Sequence, residues 1–433
     1  MGSTVATRAA RHSKSSMNFG SWGWGMILYS MLLYFCYAGW TADGLNIFTN
    51  AFPREHPSWN TSALLALVIP AQFMGVIGTG VFGQLTFKRG PKFTMLLCLV
   101  MAALSLIWFG RVHSLIEFGI ALSLLTFFGA GFGFVAPGTL INNWFPAKKG
   151  IALAWATIGF PLSSALFVPI IALMFSRIGI AAATTIWSAL LLLFALLAFL
   201  FVKNYPEERG CSPDNELVSR EVLQAKLKDL ETYVSPFTLK KLLRDRDMWL
   251  IGLGFGCLWM VTVGIVVQMV PSLISIGYPQ STAVLLLSGA SICAIPGSIL
   301  WGWLDQKYGT RAAGMLYAAT YILTLVVLIL QINNIAVTFI AVALVGVGLG
   351  GIKNLVTSMV ASAYGRYDFS AAFRVILPIT IVVRTMAFAV LAIALKLGKG
   401  FSGAYMAFIP IDIIGLVLVF FITDRCKGRL ASE

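Results

Sequence analysis

Apolar residues in this chain come in long blocks, and polar residues are confined to the gaps between them. Charges, Pro, Gly or Asn bound about twelve blocks, each near the roughly 20 residues that cross a bilayer as a helix. Their approximate spans are 23–48, 62–86, 93–110, 114–141, 151–175, 178–202, 248–275, 281–303, 312–332, 335–361, 371–395 and 401–423. The pattern predicts an all-α membrane protein of twelve transmembrane helices with the lipid bilayer as its surroundings. One long polar stretch, 203–247, is dense in Glu, Lys, Asp and Arg and separates six blocks from six. The expected domains are an N-terminal six-helix bundle (1–202), a linker (203–247) and a C-terminal six-helix bundle (248–433). Inside the linker, Leu217, Val222, Leu223, Leu227 and Leu230 recur at helical spacing, which predicts a short surface helix from Asn215 to about Lys228.

Composition agrees with this reading. Hydrophobic residues make up 58% of the 433 and charged residues 11%, against about a quarter charged in soluble domains. The first block is too long for a signal-peptide core and no small-residue cleavage site follows, so it is expected to be retained. The net charge of +14 raises nucleic acid as a partner, but the location of the charge argues against one. With the N-terminus in the cytosol, Lys88, Arg89, Lys92, Lys148, Lys149, Lys307, Arg311, Arg366, Arg425, Lys427 and Arg429 fall on the cytosolic side. The linker adds nine more, and only Arg54, Arg111, Arg177, Lys396 and Lys399 fall outside. This is the positive-inside pattern. It predicts a multi-pass protein of the cytoplasmic (inner) membrane with both termini cytosolic.

Enzyme chemistry has little to work with. Six cysteines show no paired spacing, and the three histidines lie outside the blocks, so no disulfide framework, metal site or buried histidine relay is expected. The chain has no P-loop, no H-E-x-x-H and no Ser/His/Asp set, so neither a cofactor nor nucleotide-driven transport is expected. Asn60-Thr61-Ser62 is formally a glycosylation acceptor, a signal of low specificity.

The two groups of blocks repeat. Gly83-Gln84-Leu85-Thr86-Phe87-Lys88-Arg89-Gly90 follows block two, and Gly302-Trp303-Leu304-Asp305-Gln306-Lys307-Tyr308-Gly309 follows block eight, 219 positions later (83 to 302). Gly129–Gly133 in block four matches Gly346–Gly350 in block ten at 217 positions (129 to 346). Parallel six-helix repeats with a substrate site between them are a known transporter plan. The chain resembles the major facilitator superfamily over nearly its whole length, and the loop from Gly83 to Lys92 is similar to that family's G-x-L-a-D-r-x-G-x-K/R motif. Phe87 stands where the motif has its acid, and in the second copy Asp305 comes one residue early, ahead of Gln306. Trp301-Gly302-Trp303-Leu304, Asn142–Gly150 and Gly39–Gly44 look like the monocarboxylate-porter and oxalate/formate-antiporter branch. That branch often has a basic residue in helix eight near Ser298, and this chain has none there.

Few ionisable residues fall inside the blocks. Lys353 lies about 8 residues, roughly 12 Å, from the cytosolic end of block ten, and Arg384 about 13 residues, roughly 20 Å, into block eleven. A charge at mid-bilayer costs several kcal/mol unless it faces a cavity or a partner. The resemblance implies that helices one, four, seven and ten line a central cavity and that helix eleven flanks it. Lys353 and Arg384 are then expected to bind a small organic anion, with carboxylate as the class, and a proton or counter-anion as the coupled species. Trp40, Tyr37, Asn46, Trp259, Gln268 and Asn354 are expected polar or aromatic lining. Asp43 and Asp412 are expected in coupling or gating, with pairing to a basic side chain as the other role for Asp412. Gly83, Gly90, Gly302, Asp305 and Gly309 are expected in the cytosolic switch. Arg374, near the start of block eleven, is expected to snorkel. An exporter of amphipathic or aromatic compounds is the alternative within transport, with Gly159-Phe160-Pro161 as a faint exporter-type motif. A non-transporting membrane sensor is the alternative from another class.

Overall fold

The computed structural model describes residues 17–330, 332, 334–396 and 400–429. Among these the chain is helical, with no strand. Among the described residues nine helices are long and apolar enough to cross a membrane, and two of them are far too long for one crossing. Thr61–Phe109 has 49 residues, about 74 Å if straight, against a hydrocarbon core of about 30 Å. It reverses at Gly90, where φ is 80° and ψ 165°. Thr86 and Thr94, eight positions apart, are brought hydroxyl to hydroxyl at 3.0 Å across that turn. Ile335–Thr385 breaks in the same way at Gly365, with φ 68°.

Dividing at those glycines turns the nine into eleven, and the helical run 20–55 ahead of them makes the twelfth, in two bundles of six. The first bundle holds α1 (20–55), α2 (61–89), α3 (91–109), α4 (Leu115–Trp144), α5 (Lys149–Ile178) and α6 (Ile180–Phe201). The second holds α7 (Arg246–Ser275), α8 (Gln280–Tyr308), α9 (Thr310–Ile329), α10 (335–364), α11 (366–396) and α12 (Gly400–Phe420). Side-chain caps start several of them, as Asn60 does for α2, Ser114 for α4 and Asn334 for α10. The apolar windows of α4 and α7 are 72% and 67% buried, against 33% for α12, so α4 and α7 are interior. Ile69, Phe73, Ile116 and Leu285 are among the large apolar side chains left exposed on the outer surface.

Three helices of the first bundle widen into π turns: Gly39–Asp43 in α1, Gly131–Val135 in α4 and Ser163–Phe167 in α5. None occurs in the described residues of the second bundle. The linker helix runs from Arg220 to Thr232, a few residues later than its apolar spacing suggests.

The hydrogen bonds and ion pairs that join the two bundles among the described residues gather at the end bearing the linker. Arg366 at the start of α11 makes a bidentate pair with Glu207, both bonds 2.7 Å, and its Nε donates to the Asn143 carbonyl. Both partners are fully buried, at 1% and 0% side-chain exposure. Gln306 donates to the Ala147 carbonyl at 2.7 Å, and Asn354 to the Gly150 carbonyl at 3.4 Å. In this structure the linker end is closed.

Candidate functional site

Midway along the bundles, the two expected cations meet a cluster of rings. The Nζ of Lys353 on α10 lies 3.4 Å from the centroid of Phe160 on α5. The guanidinium of Arg384 on α11 lies 5.1 Å from the ring of Trp259 on α7. The rings in turn contact one another across the seam between bundles: Trp259 stacks on Phe134 at 5.9 Å, and Phe160 lies 4.8 Å from Tyr34, 6.0 Å from Phe134 and 6.3 Å from Tyr37. The first bundle thus contributes most of the rings, and the second both cations and the Trp259 ring.

Charge organises the same place. Lys353 lies within coulombic range of both Asp43 and Arg384, and Arg384 within range of Tyr37. Among the described residues neither cation makes an ion pair within 4 Å, and the buried Nε of Arg384 has no hydrogen-bond partner. Asp43 closes the α1 π turn beside Ser163 and Ser164 of the α5 π turn, with one carboxylate oxygen buried and, among the described residues, unpartnered. Phe134 belongs to the third π turn. All three π turns therefore border the cluster, a placement that such turns often have at functional sites.

The structure separates the other expected residues. Tyr37 and Trp259 join the cluster. Trp40 does not: it is buried in the first bundle against Phe48, Phe167 and Trp187. Each three-residue step turns a helix face by about 60°, so Tyr34, Tyr37 and Trp40 diverge, and the π turn begins at Gly39. Asn46 is exposed beyond that turn. Gln268 is buried farther along α7 with both amide atoms unpartnered among the described residues. Asn354 reaches the first bundle at Gly150 instead of lining the cluster. Asp412 is fully buried in α12 and has no basic partner within 4 Å among the described residues, so the expected ion pair is not formed. Ser298 donates to the Gly350 carbonyl and packs α8 on α10.

The loop residues sit at the closed end. A Cβ on Gly83 would come within 2.8 Å of the Arg374 backbone, so α2 and α11 cross there with no side chain between them. Arg374 does not snorkel. It turns inward, donates to Gln84 Oε1 at 2.6 Å and lies 4.0 Å over the Phe87 ring. A cation–π contact and an amide thus occupy the place where the motif has its acid. In the second copy, Asp305 accepts from Thr310 at 2.6 Å and lies in coulombic range of Lys149 on α5. Gly302 packs against Ala154 and Gly150 of α5. Gly90 and Gly309 hold nearly the same backbone, with φ 80° and 87°.

Sequence reasoning passed over Phe134 and the Glu207–Arg366 pair. It also passed over Asp214 in the linker, which accepts the Ala147 and Lys148 amides at 2.9 and 2.8 Å. Burial pushes that carboxyl up to about 6, against the pull of the two amides. A cavity of about 400 Å³ lined by Tyr308, Arg311, Met359, Ser362 and Asp424 opens at the linker end of the second bundle, away from the cluster.

Residues 88–376 match the family model of the Major Facilitator Superfamily. An uncharacterized MFS-type transporter of Escherichia coli, YhjX, is 20% identical over 69% of this chain and 71% of its own length. The oxalate:formate antiporter of Oxalobacter formigenes is 23% identical over 52% of this chain and 50% of its own. Monocarboxylate transporter 12 of Rattus norvegicus is 22% identical over 70% and 64%. Among solved structures, the proton:xylose symporter XylE shares the fold with a TM-score of 0.73 at 10% identity, covering 94% of this chain and 97% of that one. FucP in an outward conformation does so with 0.70 at 15% identity, covering 92% and 98%. With more than half its length matched by the family model, this twelve-helix chain belongs to the major facilitator superfamily of membrane transporters.

Proposed function

We propose that the chain carries a small organic anion, of the carboxylate class, across the cytoplasmic membrane by alternating access. The observation that carries this reading is the pair Lys353 and Arg384: two mid-span cations with no ion-pair partner among the described residues, seated on rings at the seam between bundles. A cation–π contact contributes about 0.5–2 kcal/mol, less than the several kcal/mol that a mid-bilayer charge costs. A bound carboxylate supplies the remainder, gripped by the planar fork of Arg384 and the point charge of Lys353. Opening the linker end would then require Arg366–Glu207, Arg374–Gln84 and Gln306–Ala147 to part. The coupled species is a proton or a counter-anion. The names of two distant relatives, an oxalate:formate antiporter and a monocarboxylate transporter, support the substrate class.

The ring cluster favours a second reading, a carrier of amphipathic or aromatic compounds. A thermal-shift screen of the purified protein against carboxylates, neutral sugars and aromatic amines separates the two, because a ligand of the folded state raises its melting temperature. Carboxylates alone should shift it, and flux of the best ligand into liposomes should follow. Arg384→Ala should insert normally and lose both the shift and the flux. A shift by aromatic amines and not by carboxylates, or normal flux in Arg384→Ala, refutes the anion site. Binding without flux identifies a sensor.

A further inference from the structure

The strongest unexplained group lies outside the ring cluster. Asp412, mid-span in α12, is 0% exposed, and neither of its carboxylate oxygens has a hydrogen-bond partner among the described residues. An ionised carboxylate in such a place loses its hydration with nothing to replace it, which costs several kcal/mol even after relaxation. The neutral acid loses far less. The titratable groups around Asp412 are a thiol and two phenols, Cys257 from α7 and Tyr317 and Tyr321 from α9. The end of α11 that also packs on α12, Ala387–Lys396, has one ionisable residue, Lys396, at its last position.

The surroundings tie this acid to the anion cluster through a single helix. The Tyr317 hydroxyl is 2.7 Å from the Thr262 hydroxyl on α7. Thr262 is one turn beyond Trp259, the ring under Arg384. The α7–α12 contact is filled, with the Leu418, Phe408 and Leu258 side chains seated against Gly254, Gly264 and Gly415 of the facing helix. On another face, Gly256 of α7 meets Val383, the residue before Arg384. A charge appearing on Asp412 would have to draw water or a donor into the α7–α12 contact, and α7 cannot shift there without moving Trp259.

We infer that Asp412 is a proton-binding site separate from the anion cluster, loaded while the linker end is closed, and that its deprotonation shifts the bundles toward the linker-open arrangement through α7. The inference goes beyond the anion reading and does not depend on it, since its test uses no anion.

The full chain is reconstituted in liposomes with bioorthogonal spin labels in place of the exposed Lys88 and Lys307, one at the linker end of each bundle. Distances between the labels are measured from acid to alkaline pH. They should lengthen on alkalinisation in the parent chain and stay short at all pH values in Asp412→Asn, which keeps the shape of the neutral acid. In parallel, the infrared band of a protonated carboxyl should titrate in the parent chain and be missing in Asp412→Asn. Equal pH responses in both chains, no response in either, or a carboxyl band that never titrates overturns the inference. If Asp412→Asn does not insert, Asp412→Glu takes its place, and an unchanged midpoint for the distance change counts against the site.

Discussion

Lys353 touches a ring of the opposite bundle, so its substitutions report on ligand charge and on the seam together. Lys353→Gln should weaken carboxylate binding about ten- to a hundredfold, since charge-assisted contacts contribute roughly 1.5–3 kcal/mol. Lys353→Arg should cost less, because charge is the larger part of its contribution. Phe160→Leu removes the ring beneath the ammonium and should cost about 0.5–2 kcal/mol. Combined with Lys353→Gln, its effect should fall well short of additive, and isothermal titration of the four proteins in a cycle checks this. Additive losses would mean that Phe160 acts apart from Lys353. At this scale the cations were legible in the sequence, because a charge inside an apolar block must face a cavity or a partner to persist there. Of the rings, Tyr37 and Trp259 were legible from their place on expected cavity helices, whereas Phe134 and Phe160 were not, since they look like any other apolar residues of a membrane helix and their direction depends on helix rotation. Trp40 shows the same limit from the other side. It shares a spacing with Tyr34 and Tyr37 but packs on Phe48 and Phe167.

Most helix ends followed the apolar blocks to within about five residues, with α1 running seven past its block, because the edges of a hydrocarbon layer and the chain's polar breaks coincide. The three π turns had no such signal, since one extra residue in an apolar run leaves its composition unchanged. The repeat at 219 positions, by contrast, reappears as geometry in Gly90 and Gly309. Both lie in a region of backbone space that is nearly closed to residues with a Cβ, where the strain is about 1–3 kcal/mol. The two sites differ in their neighbours. A Cβ at Gly90 would fall 2.7 Å from the Asn204 side chain, whereas one at Gly309 would meet nothing within 4 Å. Gly309→Ala should therefore lower stability by the backbone strain alone, and Gly90→Ala by that strain plus a displaced Asn204, which also accepts the Lys92 amide. Thermal unfolding in detergent checks the order, and a larger loss at Gly309 would contradict it.

For the molecule as a whole, the buried Arg366–Glu207 pair is the strongest single tie across the closed end. Breaking a buried pair by removing one partner costs about 3–5 kcal/mol. Glu207→Gln leaves Arg366 short of a countercharge only while that end is shut, so it should favour opening by about a hundredfold or more. The label pair at positions 88 and 307 should lengthen in Glu207→Gln without any change of pH, and unchanged distances would show that the pair does not hold the end closed. The orientation proposed from the Lys/Arg asymmetry predicts that reagents reach residues 203–247 only from the cytosol, and labelling from outside would reverse it. The charges at the centre also set the electrical behaviour of the carrier. On the proposed reading, Lys353 and Arg384 against Asp43 leave one uncancelled positive charge in the empty site, and a bound monovalent anion would cancel it. The loaded carrier would then reorient without regard to voltage, while the return of the empty one moves charge through a field worth about 2.3 kcal/mol per charge per 100 mV. A membrane potential that is negative inside would hold empty carriers facing the cytosol.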